Sequence, residues 1–195
     1  MEPKIAEQNV PPKKTSFLKE TAIYVIIALA VILPIRFFVA QPFIVDGASM
    51  DPTFATNQYL IVDELSYRFE PIARGDVIIF KYPNDTSKYF IKRIIGLPGE
   101  TVQIEGTKVL IKNKVNPQGF TLTENYVDPA NFTSDHTLVT LTDNQYFVMG
   151  DNRAASFDSR AWGPIDKKYI IGRPFIRLFP LDKIGILPGE SLVKK

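Results

Sequence analysis

The sequence contains no cysteine and a single histidine, His136. The first absence removes disulfides, thiolate zinc sites and a thiol nucleophile, and leaves no trace of a redox compartment. The second removes any metal site built on several histidines. It also makes a Ser-His-Asp triad depend on one residue in a polar stretch, which would have to fold onto a distant serine. Net charge is only +2 over 195 residues, so there is no basic field suited to nucleic acid. No metal and no cofactor are expected. Helical periodicity is missing beyond the N-terminal part of the chain, and no internal repeat is visible. Fifteen prolines and eleven glycines are spread along the chain and indicate many turns and short strands.

One long apolar run is present. Residues 21–40, TAIYVIIALAVILPIRFFVA, hold one charge, Arg36. At ~1.5 Å per residue a helix of this length spans roughly 30 Å, one hydrocarbon core. Pro34 falls in its last part, where a kink is tolerable, and Arg36 can snorkel to the interface. A cleaved leader fits less well, because the run is long and Phe38-Val39-Ala40 is a poor small-x-small site. Lys4, Lys13, Lys14 and Lys19 precede the run, while no Lys or Arg lies between Phe37 and Tyr67. The positive-inside rule then places the N-terminus in the cytoplasm and the rest outside. The expected organisation is a cytoplasmic tail over 1–20, a transmembrane anchor over 21–40, an extracytoplasmic domain over 41–185 and a C-terminal tail over 186–195.

After residue 40 the chain reads as strands. Gln58–Asp63, Asp76–Lys81, Tyr89–Ile95, Gln145–Met149, Tyr169–Ile171 and Phe175–Phe179 are short and rich in β-branched and aromatic residues. Thr101–Glu105 and Lys108–Lys112 flank Gly106 and alternate Val102 and Ile104 against Val109 and Ile111, the pattern of a hairpin with one apolar face. Residues 113–136 are polar and turn-rich, and 104–142 reads as an insertion carried by the main sheet. A short helical turn is expected at Asp63–Phe69. In Phe175–Phe179, alternation would place both phenylalanines on one face with Arg177, a mixture suited to a membrane interface, whereas a plain core strand would turn the aromatics inward. The fold class expected is all-β: an antiparallel β-sheet domain with a smaller β insertion, plus one N-terminal transmembrane helix.

Three local sequences carry chemical groups. In Gly47-Ala48-Ser49-Met50-Asp51-Pro52-Thr53 a serine sits between small residues and a proline-stiffened turn, which leaves its hydroxyl and N–H accessible. In Tyr89-Phe90-Ile91-Lys92-Arg93-Ile94-Ile95 a lysine lies in an apolar strand, with Phe90, Lys92 and Ile94 on one face and Arg93 on the other. Such a lysine is costly unless neutral or paired; an edge-strand lysine that blocks aggregation is the plainer alternative. Gly150-Asp151-Asn152-Arg153-Ala154-Ala155-Ser156-Phe157-Asp158-Ser159-Arg160 follows a strand and is dense in small polar groups, which a hydrogen-bonded turn alone would explain.

In order and wording these segments resemble the signature boxes of type I signal peptidases, the Ser/Lys family that includes the mitochondrial inner-membrane and thylakoidal processing peptidases. Arg74-Gly75-Asp76-Val77-Ile78-Ile79-Phe80 is similar to a fourth box, and the resemblance runs from about Phe37 to Gly185. It implies that Ser49 is the nucleophile and Lys92 the general base. It implies that Ser156 orients Lys92 and that two ion pairs, Arg93 with Asp151 and Asp158 with Arg160, brace the site. It makes 41–185 the peptidase domain. By the same resemblance Phe43, Val45, Met50, Phe54, Phe90 and Ile91 wall the substrate cleft. Three positions depart from the pattern: Gly47 replaces a Ser or Thr, and Ala154 and Ala155 replace a polar residue and an Asn.

The chemistry implied is hydrolysis of exported preproteins after small residues, Ala-x-Ala. The implied enzyme is single-pass in a bacterial plasma membrane, with its catalytic domain outside and membrane lipid as a further partner. A lysine at its reference pKa of ~10.4 is almost wholly charged near neutral pH, so burial must lower it for Lys92 to act as a base. Rival readings are a self-cleaving Ser/Lys repressor, which should carry a DNA-binding module and no anchor, a processing peptidase dedicated to one exported partner, and an anchored binding domain with a weak site.

Overall fold

A computed structural model describes residues 17–38, 40–131 and 135–189. The expected tail over 1–20 falls largely outside these residues, as does the end of the chain from 190. Two compact units are present, 1–37 and 38–195.

In the first unit, α1 (Phe17–Phe38) is 22 residues long. Ile23, Val25, Ile26, Ile27, Leu29 and Ile32 are all exposed, so its apolar character runs around the helix rather than along one stripe. Side chains at 31 and 33–40 are not among those described; over the described residues, no helix is long and apolar enough to cross a membrane.

The second unit is mostly antiparallel β-sheet. Its larger sheet has the order β1 (Ala40–Ile44), β2 (Tyr59–Asp63), β11 (Ile170–Phe179), β3 (Val77–Tyr82), β4 (Asp85–Gly96), β9 (Gln145–Met149), β10 (Ile165–Asp166), with β12 (Gly185–Ile186) on β11. A smaller sheet runs β7 (Phe120–Thr121), β6 (Lys108–Lys112), β5 (Thr101–Gly106), β8 (Asp135–Thr140). The β5–β6 hairpin turns at Gly106, at φ 62°, and pairs Val102 with Ile111 and Ile104 with Val109. All four pack with Ile95, Leu141, Phe147 and Met149, joining the insertion to the main sheet.

The β3–β4 register sets the two faces of the main sheet. Phe80 opposes Phe90, Ile79 opposes Ile91 and Ile78 opposes Lys92. Phe80, Ile78, Ile94, Val148 and Ile165 form one core cluster. Val45, Met50, Phe54, Leu60 and Val77 form another, with Ile91 packed against it.

Several elements differ from the sequence reading. β1 and β8 were not anticipated; β1 contains a proline and runs along a sheet edge, and β8 leaves alternate residues exposed. The two short strands expected over 169–179 are one, β11, which pairs with β3 at Ile170 and Gly172 and then with β2 from Arg173. The switch needs Gly172: a Cβ there would lie 2.1 Å from the Asp63 carbonyl oxygen. Register shifts at Pro174/Ile176 and Arg177/Phe179 break simple alternation. Arg177 turns inward, its guanidinium 4.9 Å from the Phe54 ring centre and donating to the Thr53 carbonyl at 2.7 Å, while Phe175 and Phe179 stay exposed. The shared face for Phe175, Arg177 and Phe179 is therefore corrected. Residues 186–189, read as the start of a tail, are held: Ile186 pairs with Ile176, and the Leu187 N–H donates to the Phe175 carbonyl.

Candidate active site

Ser49 lies on the loop between β1 and β2. The Val45 N–H donates to the Gln58 carbonyl and the Asn57 N–H to the Val45 carbonyl, closing the loop at its base. Met50 and Phe54 are its buried pins, so they do not wall the cleft as the resemblance implied; their side chains lie in the core beneath it. Gly47 has φ 94° with no atom near a Cβ position. The backbone, rather than crowding, thus favours glycine at the position where the resemblance implies a Ser or Thr. The Ser49 carbonyl accepts from the Asn152 N–H at 3.1 Å, which ties this loop to the one after β9.

Lys92 projects from β4 on the face shared with Ile78, and only 4% of it is exposed. Its Nζ lies 2.6 Å from Ser49 Oγ and 3.0 Å from the Ile91 carbonyl oxygen, with the Phe90 ring centre 5.5 Å away. Burial pushes its pKa down to about 8, against an upward pull from Asp158 and Asp151. A neutral amine at this distance can take the hydroxyl's proton.

Arg93, the next residue, points to the opposite face and is fully buried. Its Nε and Nη2 donate to the two carboxylate oxygens of Asp151 at 2.8 and 2.5 Å, and its Nη1 donates to the carbonyls of Gly75 and Gly189 at 2.7 Å each. Asp151 also accepts from Thr53 Oγ1 at 2.6 Å, four residues beyond Ser49. Asp158 binds Arg160 through both oxygens, at 2.8 and 2.9 Å, and accepts from the Gly150 N–H. Burial opposes ionisation of Asp158, but Arg160 and these hydrogen bonds outweigh it and hold the carboxyl below the usual range.

The Ser156 hydroxyl is buried and makes no regular hydrogen bond; it does not reach Lys92, whose bonds go to Ser49 and Ile91. It lies close enough to Asp158 to favour that carboxylate. His136 is on β8, exposed and away from the cleft. Among the described residues no group of carboxylates and histidine could hold a metal.

The sequence reading missed a second layer. Arg153 is buried, donates to the Gly150 carbonyl at 3.0 Å and forms a two-bond ion pair with Glu124. The Tyr126 ring centre is 4.0 Å from the Arg93 guanidinium. Both partners come from the polar stretch 113–136, where no local pattern marks them. Gly150 is itself required: a Cβ would lie 2.3 Å from both Ser156 Oγ and the Ser49 carbonyl oxygen. That position was legible as an invitation to close approach, since Gly150 opens the polar segment directly after a strand.

A cleft of about 310 Å³ opens beside Ser49 and Lys92. Phe43, Val45, Phe90 and Ile91 line it, together with Leu60, Ile79, Tyr89, Ala155 and Phe157. Phe43 and Tyr89 meet edge to face at 5.4 Å, bridging its two walls.

Lys92 burial has a consequence for stability. The folded-state pKa is depressed, so the unfolded chain holds its proton to higher pH, and stability from this group rises with pH between about 8 and 10.5. Below that window the folded protein carries a desolvated ammonium at a cost of roughly 3 kcal/mol. Lys92→Met is expected to melt higher than wild type at pH 6–7, with an advantage that shrinks as pH rises toward 10.5. Thermal unfolding followed across pH checks this; an advantage independent of pH would mean that the ammonium carries no such cost.

The family model for signal peptidase, peptidase S26, matches residues 18–179. A signal peptidase I of Leptolyngbya laminosa is 39% identical over 90% of this chain and 87% of its own length. One from Bacillus licheniformis is 36% identical over 92% of this chain and 98% of its own. A crystal structure of a signal peptidase I from Enterococcus faecalis matches 53% of this chain and 97% of that one, at 29% identity and a TM-score of 0.45. The extent of the family match and the identity to curated enzymes along nearly the whole chain place this protein in the signal peptidase family, peptidase S26.

Proposed function

We propose that this enzyme is a membrane-bound serine endopeptidase that removes N-terminal signal peptides from exported preproteins, with Ser49 as nucleophile and Lys92 as general base. The observation that carries this reading is the 2.6 Å contact between Ser49 Oγ and a buried Lys92 Nζ at the wall of an apolar cleft. Ser49 Oγ attacks the scissile carbonyl carbon while its proton passes to Lys92. The Ser49 N–H donates to no group among the described residues and is free to stabilise the oxyanion. As the C–N bond breaks, Lys92 returns the proton to the leaving amine. Water, deprotonated by the same Lys92, then attacks the acyl ester and frees Ser49.

The substrate adds as a strand between the chain at 43–48 and the edge of β4. Side chains alternate, so P1 and P3 meet the face lined by Val45, Leu60, Ile79 and Ile91. With Met50 and Phe54 filling the volume beneath, the pockets there are shallow and suit alanine. Arg93, Asp151, Asp158 and Arg160 act as braces, and Ser156 acts through Asp158 rather than by bonding Lys92 directly.

The membrane is engaged at two places. The helix α1, whose described apolar residues from Ile23 to Ile32 are exposed around it, anchors the chain with its N-terminus in the cytoplasm. On the β domain, Phe175, Leu178, Phe179, Leu181, Ile184 and Ile186 are exposed in one stretch of strand and turn, an apolar surface suited to a bilayer.

Ser49→Ala and Lys92→Arg are each expected to reduce cleavage of a signal-peptide-bearing precursor by several orders of magnitude while leaving a folded protein, because arginine cannot surrender its proton. In the wild type, kcat/KM should rise with pH through an apparent pKa near 8. Substantial turnover by Lys92→Arg would remove Lys92 as base, and cleavage of only one of a panel of precursors would point to a dedicated processing enzyme.

A fragment spanning residues 38–195 is expected to co-sediment with anionic vesicles, and Phe179→Ser, at a position 52% exposed, to weaken that binding without lowering the melting temperature. A fragment that ignores vesicles would leave α1 as the sole membrane contact.

A further inference from the structure

We propose that Phe157, Tyr82 and Phe90 form a subsite for the side chain at P2, selecting bulky apolar residues there. The proposal rests on the reading of the cleft as the place where a substrate strand lies, and adds a specificity element on the face opposite the P1 and P3 pockets.

The argument begins with the sheet. Residues 85–92 of β4 pair with β3 on one side, whereas β9 joins the other side only from Arg93 onward. A substrate strand on this open edge continues the sheet, so its side chains alternate between the faces that β4 defines. Ile91 and its partner Ile79 lie on the first face, where P1 and P3 are directed. Phe90 and Lys92, with Phe80 and Ile78 opposite them, lie on the second, and P2 must project there.

That second face is lined by packed aromatic rings. The Tyr82 ring stacks on Phe90 with centroids 4.9 Å apart and planes at 25°. Phe157 meets Tyr82 edge-on at 6.1 Å, and Trp162 supports Tyr82 from 5.7 Å. Phe157 lines the cleft yet is 56% exposed. Its neighbour Asp158 is buried and held by Arg160 and the Gly150 N–H, so the phenyl ring is presented by an anchored backbone. A half-exposed ring fixed beside an aromatic stack has apolar area to give to a ligand side chain. Covering part of a leucine or phenylalanine at P2 predicts a preference of about five- to tenfold over glycine.

The test uses the full-length enzyme in detergent micelles and peptides containing Ala-X-Ala, with X as Gly, Asp, Leu or Phe. Wild type should show kcat/KM for Leu and Phe about five- to tenfold above that for Gly. In Phe157→Ser the Leu-to-Gly ratio should fall toward one, and Phe157→Leu should restore most of it. A flat series in wild type overturns the proposal, and so does a Phe157→Ser variant that loses activity equally on every peptide with the ratio intact. Ser49→Ala, run on the same peptides, separates this from the underlying reading: continued cleavage by that variant would defeat the dyad assignment, whereas loss of cleavage with a flat P2 series would defeat the subsite alone.

Discussion

Two adjacent cations are buried on one strand, and the structure depends on treating them in opposite ways. Lys92 is desolvated with no carboxylate bonded to it, and its pKa falls to about 8. Arg93 is desolvated just as fully but receives two carboxylate oxygens, two carbonyls and an aromatic ring. Strand alternation keeps the two environments apart, because successive side chains leave the sheet on opposite faces. A carboxylate that reached Lys92 would stabilise the ammonium and work against the role of base proposed for it. An Arg93 without Asp151 would be an uncompensated buried charge, a loss of about 3–5 kcal/mol in comparable cases.

Satisfying Arg93 recruits distant parts of the chain. Asp151 comes from the loop after β9 and Gly189 from near the end of the described chain. Asp151 in turn fixes Thr53, and Asn152 holds the Ser49 carbonyl, so the loop that carries Ser49 is placed by the same residues that neutralise Arg93. Gly150 makes this possible by allowing the two loops to touch where any side chain would collide. Behind them, Glu124 pairs with Arg153, whose Nε holds the Gly150 carbonyl. The insertion therefore reaches the site through buried ionic contacts as well as through its own apolar sheet.

These dependencies explain what the sequence could and could not disclose. Strand positions were legible wherever local alternation was unbroken, as in β5 and β6, whose paired valines and isoleucines announce one buried face. They were least legible where a bulge intervenes: the shifts in β11 reverse Arg177, and no local pattern records a shift whose cause is contact with β2. The segments around Ser49, Lys92 and Asp151 each had a plain structural reading alone and stood out through their joint resemblance to the family's signature boxes; the fold brings them together. Met50 and Phe54 were misplaced because an apolar residue beside a reactive serine is equally suited to a pocket wall or to a core pin. Glu124 and Tyr126 were invisible for a different reason. Their role is defined wholly by partners about thirty residues away, and a polar loop offers no periodicity against which to notice them.

On the proposed mechanism, a buried Lys92 must coexist with a cleft open to a polypeptide. The cleft opens beside Lys92 on the side where a substrate strand is proposed to lie. A strand added there would cover that side with backbone and small side chains, and so deepen the burial that lowers the pKa. Phe90 and Tyr82, with Phe157 at the rim, cover part of the Lys92 face with packed rings. On the reading proposed above, small residues at P1 and P3 have two physical reasons. They fit above a floor already filled by Met50 and Phe54, and they let the substrate backbone approach the edge of β4 closely enough to exclude the remaining water from the amine. On the proposed mechanism, specificity for size and activation of the base become two consequences of one close approach.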